Sequence, residues 1–496
     1  MSAHRMDGAH VHDVVGIGLG PFGLGLAALA HPLPDVDGVF LDQRPGFSWH
    51  PGMMLDGATI QVPFLADLVT MADPTSPYSF LAFLKATGRL YPFYVRESFY
   101  PLRAEYDAYC RWVAGRLPSL RWNRRVVAVE RDADRDAFAV HAEVLADGAV
   151  VATETHLGRH VALATGTSPT LPPALRALAE DATSDSAAAA DATAADATAR
   201  VAAGPVLHTA DYLHHRDALR AARSVTVVGS GQSAAEVYRD LLDDVEVRGA
   251  RLDWLTRSPR FFPMEYTKLS LELTSPEYTD HYRSLPGALR RVLGREQRAL
   301  FKGISAQLVD DIHETLYRKS ALGRPVPTTL VPDAEVVAAR HDHATGEHVL
   351  TLRHATLGRT WEHRTRAVVA ATGYRAAVPA FLDPVADVVR VDEHGLDVAR
   401  DYAVDDAGRV HVLGTEEHTH GVTAPDLGFG PWRASVVLAA VTGREPYPIE
   451  RATTFQTFGV PGTPADAVHA GAAPAEPAHD DAVRDHDDET SLAVTR

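Results

Sequence analysis

The chain has 496 residues, 46% of them hydrophobic, with 48 Lys and Arg against 65 Asp and Glu for a formal net charge of −17. That length allows two or three domains with large buried cores, and the acidic balance argues against nucleic acid or an anionic membrane as the main partner. A single cysteine, Cys110, excludes an internal disulfide or redox dithiol; no apolar run reaches a membrane span and no signal pattern opens the chain, so a cytoplasmic protein is expected.

Residues before Val11 read as a short flexible arm. The apolar run Asp13–Ile17 leads into Gly18-Leu19-Gly20-Pro21-Phe22-Gly23 and then an Ala/Leu-rich helical stretch. Gly18 permits the tight turn, Gly20 lets the backbone approach a pyrophosphate, and Gly23 lets the helix pack closely on the sheet. Helix N-terminal amides then face the phosphates. Val39–Asp42 reads as the second strand, and the carboxylate of Asp42 falls where a ribose would be gripped, favouring FAD or NAD. The segment from Trp49-His50-Pro51-Gly52 to Gln61-Val62-Pro63-Phe64 suits a loop wrapping a flat cofactor. Ser79–Lys85 reads as a helix ending at Gly88. Arg103–Arg116 reads as another, with Tyr106, Tyr109 and Trp112 as core residues and Cys110 as a small buried hydrophobe.

From Val126 strands follow to Ala164-Thr165-Gly166. Residues 174–204 are Ala/Asp/Thr-rich with few large apolar side chains, and a disordered or loosely helical surface insertion is expected. A second turn then appears. Ser224–Val228 leads into Gly229-Ser230-Gly231-Gln232-Ser233-Ala234, and after Leu252–Thr256 come Arg257 and Arg260. A guanidinium there suits a ribose 2′-phosphate, so NADP is preferred over NAD, the alternative being two surface arginines. Ala371-Thr372-Gly373 repeats the earlier strand end. One glycine turn alone is an ordinary strand-to-helix connection as readily as a nucleotide site; two imply a pair of dinucleotides between which electrons pass. The tail after Gly462 carries eight acids, two basic residues and three histidines, His469, His479 and His486, without tight ligand spacing, so no metal site is expected.

The expected fold is therefore α/β, with two Rossmann-like domains, the second inserted into the first. The boundaries are 11–205 plus 366–460 for the first dinucleotide-binding domain, 206–365 for the second, and 461–496 for a disordered acidic tail.

Several ungapped motifs carry a resemblance: Gly18–Pro21, Trp49-His50, Gln61–Thr70, Asp73–Phe80 and Ala371–Tyr374. Between about Asp13 and Val460 the chain resembles the flavin-dependent N-hydroxylating monooxygenases, the lysine, ornithine and diamine N-hydroxylases of hydroxamate siderophore assembly. Gly231–Glu236, Arg257–Pro263, Glu265–Leu269, Thr274–Tyr278 and His418–Gly421 with Ala424–Gly428 are most similar to the diamine branch, which acts on cadaverine or putrescine. The resemblance implies FAD in the first domain and NADPH in the second, a smaller, mainly helical substrate-binding region to which 262–330 contributes, a small aliphatic amine and O2 as substrates, and a homotetramer. It also implies that oxygen adds to the reduced flavin at C4a and that the uncharged amine attacks the distal peroxide oxygen. Trp49, Gln61, Thr372, Gly373, Asp426 and Leu427 would then flank the cofactors. Gln61 is the candidate for hydrogen bonding near the reactive edge, and His50 either serves chemistry or braces backbone. Lys85, Glu272 and Lys302 are candidates for the far end of the substrate, a cation suiting a carboxylate and an acid a second ammonium. Leu271 stands where the ornithine branch has a substrate-binding asparagine, which argues against ornithine. The alternatives are an L-lysine N6-hydroxylase, a monooxygenase acting on carbon or sulfur, and a non-catalytic flavoprotein that binds a partner.

Overall fold

The computed structural model describes residues 10–191 and 204–461. The expected N-terminal arm up to residue 9, residues 192–203 and the tail from 462 lie outside the described residues.

The first sheet is built from β1 (Val11–Ile17), β2 (Gly38–Leu41), β3 (Leu120–Arg121), β4 (Arg124–Asp132), β5 (Ala137–Ala146) and β6 (Ala149–Leu163), in the order β3-β2-β1-β6-β5-β4. β3, β2, β1 and β6 run parallel, whereas β4 to β6 form an antiparallel meander. After β7 (Ser168–Pro169), a second, wholly parallel sheet follows. It comprises β8 (Val206–His208), β9 (Ser224–Val228), β10 (Arg251–Leu255), β11 (Thr328–Val331) and a strand that returns much later in the chain. A three-stranded antiparallel sheet, β12 (Ala334–Asp342), β13 (Glu347–His354) and β14 (Arg359–Thr365), separates β11 from that strand, β15 (Ala367–Ala370).

The chain rejoins the first sheet only at the strand Val410–Val412, which pairs with β6. The second unit is thus inserted into the first. The sequence reading returned the chain to the first domain at residue 366; β15 instead lies between β8 and β9, so the return comes after Ala370. Identical Ala-Thr-Gly endings concealed the difference, because each sheet needs one. A Cβ on Gly18 would overlap the Ala164 carbonyl, and one on Gly229 would overlap that of Ala371, so each small-residue strand end makes room for the turn of its own sheet.

The described part of the low-complexity stretch is helical, one of the two outcomes expected, and it is docked where it begins. Pro173–Asp191 is one helix, and Leu175 and Leu178 in its first turns are fully buried against Leu350, Leu352 and Val368. Two leucines at i, i+3 followed by alanine, the best helix former, suffice to dock it. The aromatic helix meets expectation: in Arg103–Ala114, Tyr106, Tyr109 and Cys110 lie in the core.

Where Val410–Val412 meets β6, the rings of His160 and His411 stack at 5.6 Å. Burial and the neighbouring His160 lower the pKa of His411 to about 4, against the opposing pull of Asp401 and Asp405. The folded value lies below the unfolded one, near 6.5, so the unfolded chain binds the extra proton. The stability this withholds is present above pH 6.5 and is lost as pH falls towards 4, by about 3 kcal/mol. Urea unfolding from pH 7.5 to 4.5 is expected to show this loss, with a shallower slope for His411→Gln; equal slopes would refute it.

Candidate active site

Both glycine turns lie at the carboxyl ends of parallel strands, where open α/β sheets bind ligands. In the first, Gly18 has φ +100°, and a Cβ on Gly23 would overlap the Gly18 carbonyl, so helix Pro21–Ala30 sits hard against the strand. Gly20 is different. A Cβ there would meet nothing within 4 Å. The space lies over a helix N-terminus that no side chain caps, as a pyrophosphate requires. In the second turn Gly229 has φ +147°, Gly231 faces the Lys302 carbonyl, and Ala234 is fully buried in helix Gln232–Leu242, with Ser233 in its first turn. Arg257 is exposed just beyond β10, and its side chain has no ion-pair partner among the described residues, leaving it free for a phosphate. The residues present therefore fit two dinucleotides.

Asp42 does not stand open to a ribose. Its carboxylate accepts from the Leu19 amide (2.8 Å), the Arg44 amide (2.8 Å), and Arg44 Nε (3.0 Å) and Nη2 (2.7 Å). Four donors fill its acceptor capacity. Asp42 thus braces the turn to the end of β2, and ribose contact requires Arg44 to move aside.

The loop after β2 brings Trp49 and His50 to the junction of the two units. The Trp49 amide donates to Asp107 (2.9 Å) and its ring meets Tyr106, whereas the His50 ring lies 5.8 Å from that of Tyr374, which begins the short strand β16 (Tyr374–Arg375). Across the junction His208 Nε2 donates to the Gly373 carbonyl (3.0 Å), and Thr372 Oγ1 donates to the Thr170 carbonyl (2.6 Å). His50 is reached by solvent but crowded by protein. Desolvation, then the Arg103 and Arg44 guanidinium groups, lower its pKa to about 4. It is neutral at pH 7 and a weak base. Gln61 is half-buried, with Nε2 donating to the Thr59 carbonyl (3.0 Å) and Oε1 still available. Asp67, in the same motif, accepts from the amides of Val69, Thr70 and Phe80 and knits the loop together. Asp426 caps the Phe429 amide (2.9 Å), and Leu427 joins Pro21, Phe22, Asp67, Leu68 and Tyr106 around a small recess beside the first turn.

The proposed substrate residues do not converge. Glu272 accepts from the amides of Phe455 (3.1 Å) and Gln456 (3.1 Å) and from Gln456 Nε2 (2.9 Å), so it clamps a distant segment of chain. Glu277 does the same for Thr453 and Thr454. Lys302 Nζ donates to Glu417 (2.7 Å). Leu271 is 46% exposed at the end of helix Lys268–Leu271, and Lys85 is exposed in the last turn of helix Phe80–Ala86 without an ion-pair partner among the described residues.

Two buried ion pairs went unread in the sequence. Arg103 donates to both oxygens of Glu236 (2.9 and 2.7 Å) and to the Met53 carbonyl. Glu236 also takes Gln232 Nε2 (2.9 Å), while Gln232 Oε1 accepts the Ser305 amide (2.8 Å), so Gln232 couples the second turn to the first unit. Arg433 and Glu416, both fully buried, meet at 2.9 Å beneath Phe22 of the first turn. A lone arginine in the otherwise apolar helix Gly430–Thr442 was the available signal.

Two sheets, each with a glycine turn at the end of a parallel strand, joined by a buried ion pair and an aromatic junction, define an oxidoreductase that holds two dinucleotides. The chain belongs to the L-lysine 6-monooxygenase/L-ornithine 5-monooxygenase family, whose model matches residues 10–203 and 196–376. It is 40% identical over 449 residues to a putrescine N-hydroxylase of Shewanella oneidensis, covering 90% of this chain and 84% of that one. The FAD-bound crystal structure of a desferrioxamine-pathway cadaverine monooxygenase from Erwinia amylovora is 43% identical, with a TM-score of 0.83 over 91% of this chain and 99% of that one. An ornithine N-hydroxylase from a Kutzneria species, solved with reduced FAD, NADP+ and L-ornithine, is 26% identical, with a TM-score of 0.75 over 88% and 99%.

Proposed function

We propose that this protein uses FAD, NADPH and O2 to hydroxylate one terminal amine of an aliphatic diamine, cadaverine or putrescine, for hydroxamate siderophore assembly. The observation that carries this reading is the 40–43% identity, over nine-tenths of the chain, to enzymes named for putrescine and cadaverine, against 28% to a lysine enzyme and 32% to an ornithine enzyme. When bound, the cofactors supply the electrons and the activation of oxygen.

The chain's own residues do the rest. The first turn and its helix N-terminus hold one pyrophosphate, and the second turn with Arg257 holds the other and its 2′-phosphate. Trp49, His50 and Tyr374 line the junction between them. The amine must arrive without its proton; with an ordinary pKa near 10.4, deprotonation at pH 7 costs roughly 4–5 kcal/mol. Neutral His50 is a weak base for that proton. A desolvating pocket lowers the cost by disfavouring the ammonium, and Gln61 Oε1 is free to orient the resulting N–H. A far-end carboxylate would find Lys302 already engaged by Glu417, and a far-end ammonium would find Glu272 already engaged by the amides of Phe455 and Gln456. Lys85 alone keeps an unpaired cation, which is the feature favouring lysine as a second reading.

A homo-oligomer in the cytoplasm completes the proposal. Tyr91, Tyr94, Val95 and Phe99 are exposed together and offer a surface for another copy, and no helix among the described residues is long and apolar enough to cross a membrane. The test is NADPH-dependent hydroxylamine formation with putrescine, cadaverine, lysine and ornithine. A diamine is expected to exceed lysine in coupled kcat/KM by roughly tenfold or more, about 1.4 kcal/mol of discrimination. Higher coupled turnover with lysine would overturn the assignment.

A further inference from the structure

At the end of the first sheet remote from the nucleotide turn, three metal-ligating side chains point at one spot. His10 and His12 are two residues apart at the start of β1, so their rings project from the same face. Asp37 comes from the connection that leads into β2. Its Oδ2 takes both rings, that of His12 through Nδ1 at 2.7 Å and that of His10 through Nε2. The three ligand atoms all lie within 4.8 Å of one another. Asp37 is fixed by its own backbone, because its amide donates to Asp13 Oδ2 (2.9 Å) and its carbonyl accepts from the Asp13 amide (2.9 Å). On the neighbouring strand, His156 brings its ring to 6.3 Å from that of His12, and its Nε2 is hydrogen-bonded to Glu154.

We infer that His10, His12 and Asp37 form a binding site for a divalent transition-metal cation of the zinc class, with His156 or water completing the coordination. Two imidazoles and a carboxylate are the donor set such ions select over magnesium or calcium. Bonds of about 2.0–2.2 Å around a tetrahedral ion separate the ligand atoms by roughly 3.3–3.5 Å. His12 Nδ1 and Asp37 Oδ2 now lie 2.7 Å apart, and all three ligand atoms lie within 4.8 Å of one another. The site stands about 20 Å from the nucleotide turn, at the opposite end of β1. A cation there ties the entrance of β1 to the β1–β2 connection, so its effect falls on the stability of the first unit and not on the oxidation chemistry.

The experiment uses the full-length, FAD-loaded protein, freed of metal by a chelator and titrated with Zn2+ by calorimetry and with Co2+ by visible absorption. One equivalent is expected to bind, with a tetrahedral or five-coordinate Co2+ spectrum and a higher melting temperature with Zn2+. His12→Ala and Asp37→Asn are each expected to weaken binding by about tenfold or more. Both should abolish the thermal shift at equal FAD content. His10 is exposed, so His10→Ala provides a variant whose folding is not in question. A triple substitution of the tail histidines His469, His479 and His486 should leave the first equivalent unchanged. Binding that survives all three site variants, or that disappears with the tail histidines, would overturn the inference.

Discussion

Arg433→Ala is expected to destabilise the protein by about 3–5 kcal/mol and to lower its FAD content, the largest single effect the structure points to. Arg433 and Glu416 are both 0% exposed, and Arg433 Nη2 donates to the carbonyls of Thr423 and Ala424 at 2.9 Å each. The guanidinium lies 4.5 Å from the centre of the Phe22 ring, inside the first glycine turn. Glu416 in turn accepts the Gly414 amide at 2.7 Å, and Gly414 is so close to Phe22 that a Cβ would overlap the ring. Removing the arginine strands a carboxylate whose pKa burial already raises, frees two carbonyls and unseats Phe22. A stability of 5–15 kcal/mol, ordinary for a folded protein, leaves little margin for such a loss. Denaturant unfolding and flavin content would measure both effects. Arg433→Lys restores the charge but not both carbonyl bonds and should fall between. A stability for Arg433→Ala within about 0.5 kcal/mol of the parent would show that the pair holds nothing together.

Gly20→Val should do the reverse, leaving the fold intact and removing the cofactor. Gly20 has φ −72° and ψ −177°, an extended conformation that valine accepts readily, and its missing Cβ points into open space. A branched side chain there fills the approach to the amides that begin helix Pro21–Ala30. Affinity for FAD is expected to fall at least 100-fold, about 2.8 kcal/mol, with an unfolding midpoint equal to that of the parent apoprotein. Titrating apoprotein with FAD and comparing melting curves tests it. Full flavin occupancy in the variant would place the pyrophosphate elsewhere. Gly18→Ala is the instructive contrast, since φ +100° and the Ala164 carbonyl make that position a matter of folding first.

The elements read correctly from sequence share one property: each is decided within a few residues. A strand, a glycine turn and a helix form a local unit, which is why both nucleotide turns and the aromatic helix Arg103–Ala114 were legible in advance. Side-chain partners are a different matter, because folding decides which groups a charge meets. Asp42 was assigned to a ribose by its position at the end of β2, but Arg44 and the Leu19 amide already occupy it. Glu272 and Lys302 were candidates for the far end of the substrate, with exposed charges as the alternative. In the fold Gln456 and Glu417, more than a hundred residues away in each case, hold them. His50 was read as serving chemistry or bracing backbone, and its low pKa depends on desolvation and on Arg103 and Arg44, which only the fold sets beside it.

By itself the sequence determined that this is a protein of two dinucleotide turns with the motifs of the N-hydroxylating monooxygenases, because glycine spacing and apolar periodicity act over short range. Tertiary structure alone decided which sheet owns β15, which carboxylates are already engaged, that Arg433 and Glu416 share a dry interior, and that His10, His12 and Asp37 meet. These outcomes rest on burial and on contacts across tens to hundreds of residues. A charged side chain carries no mark of its eventual partner; the partner appears only when packing closes the space between them.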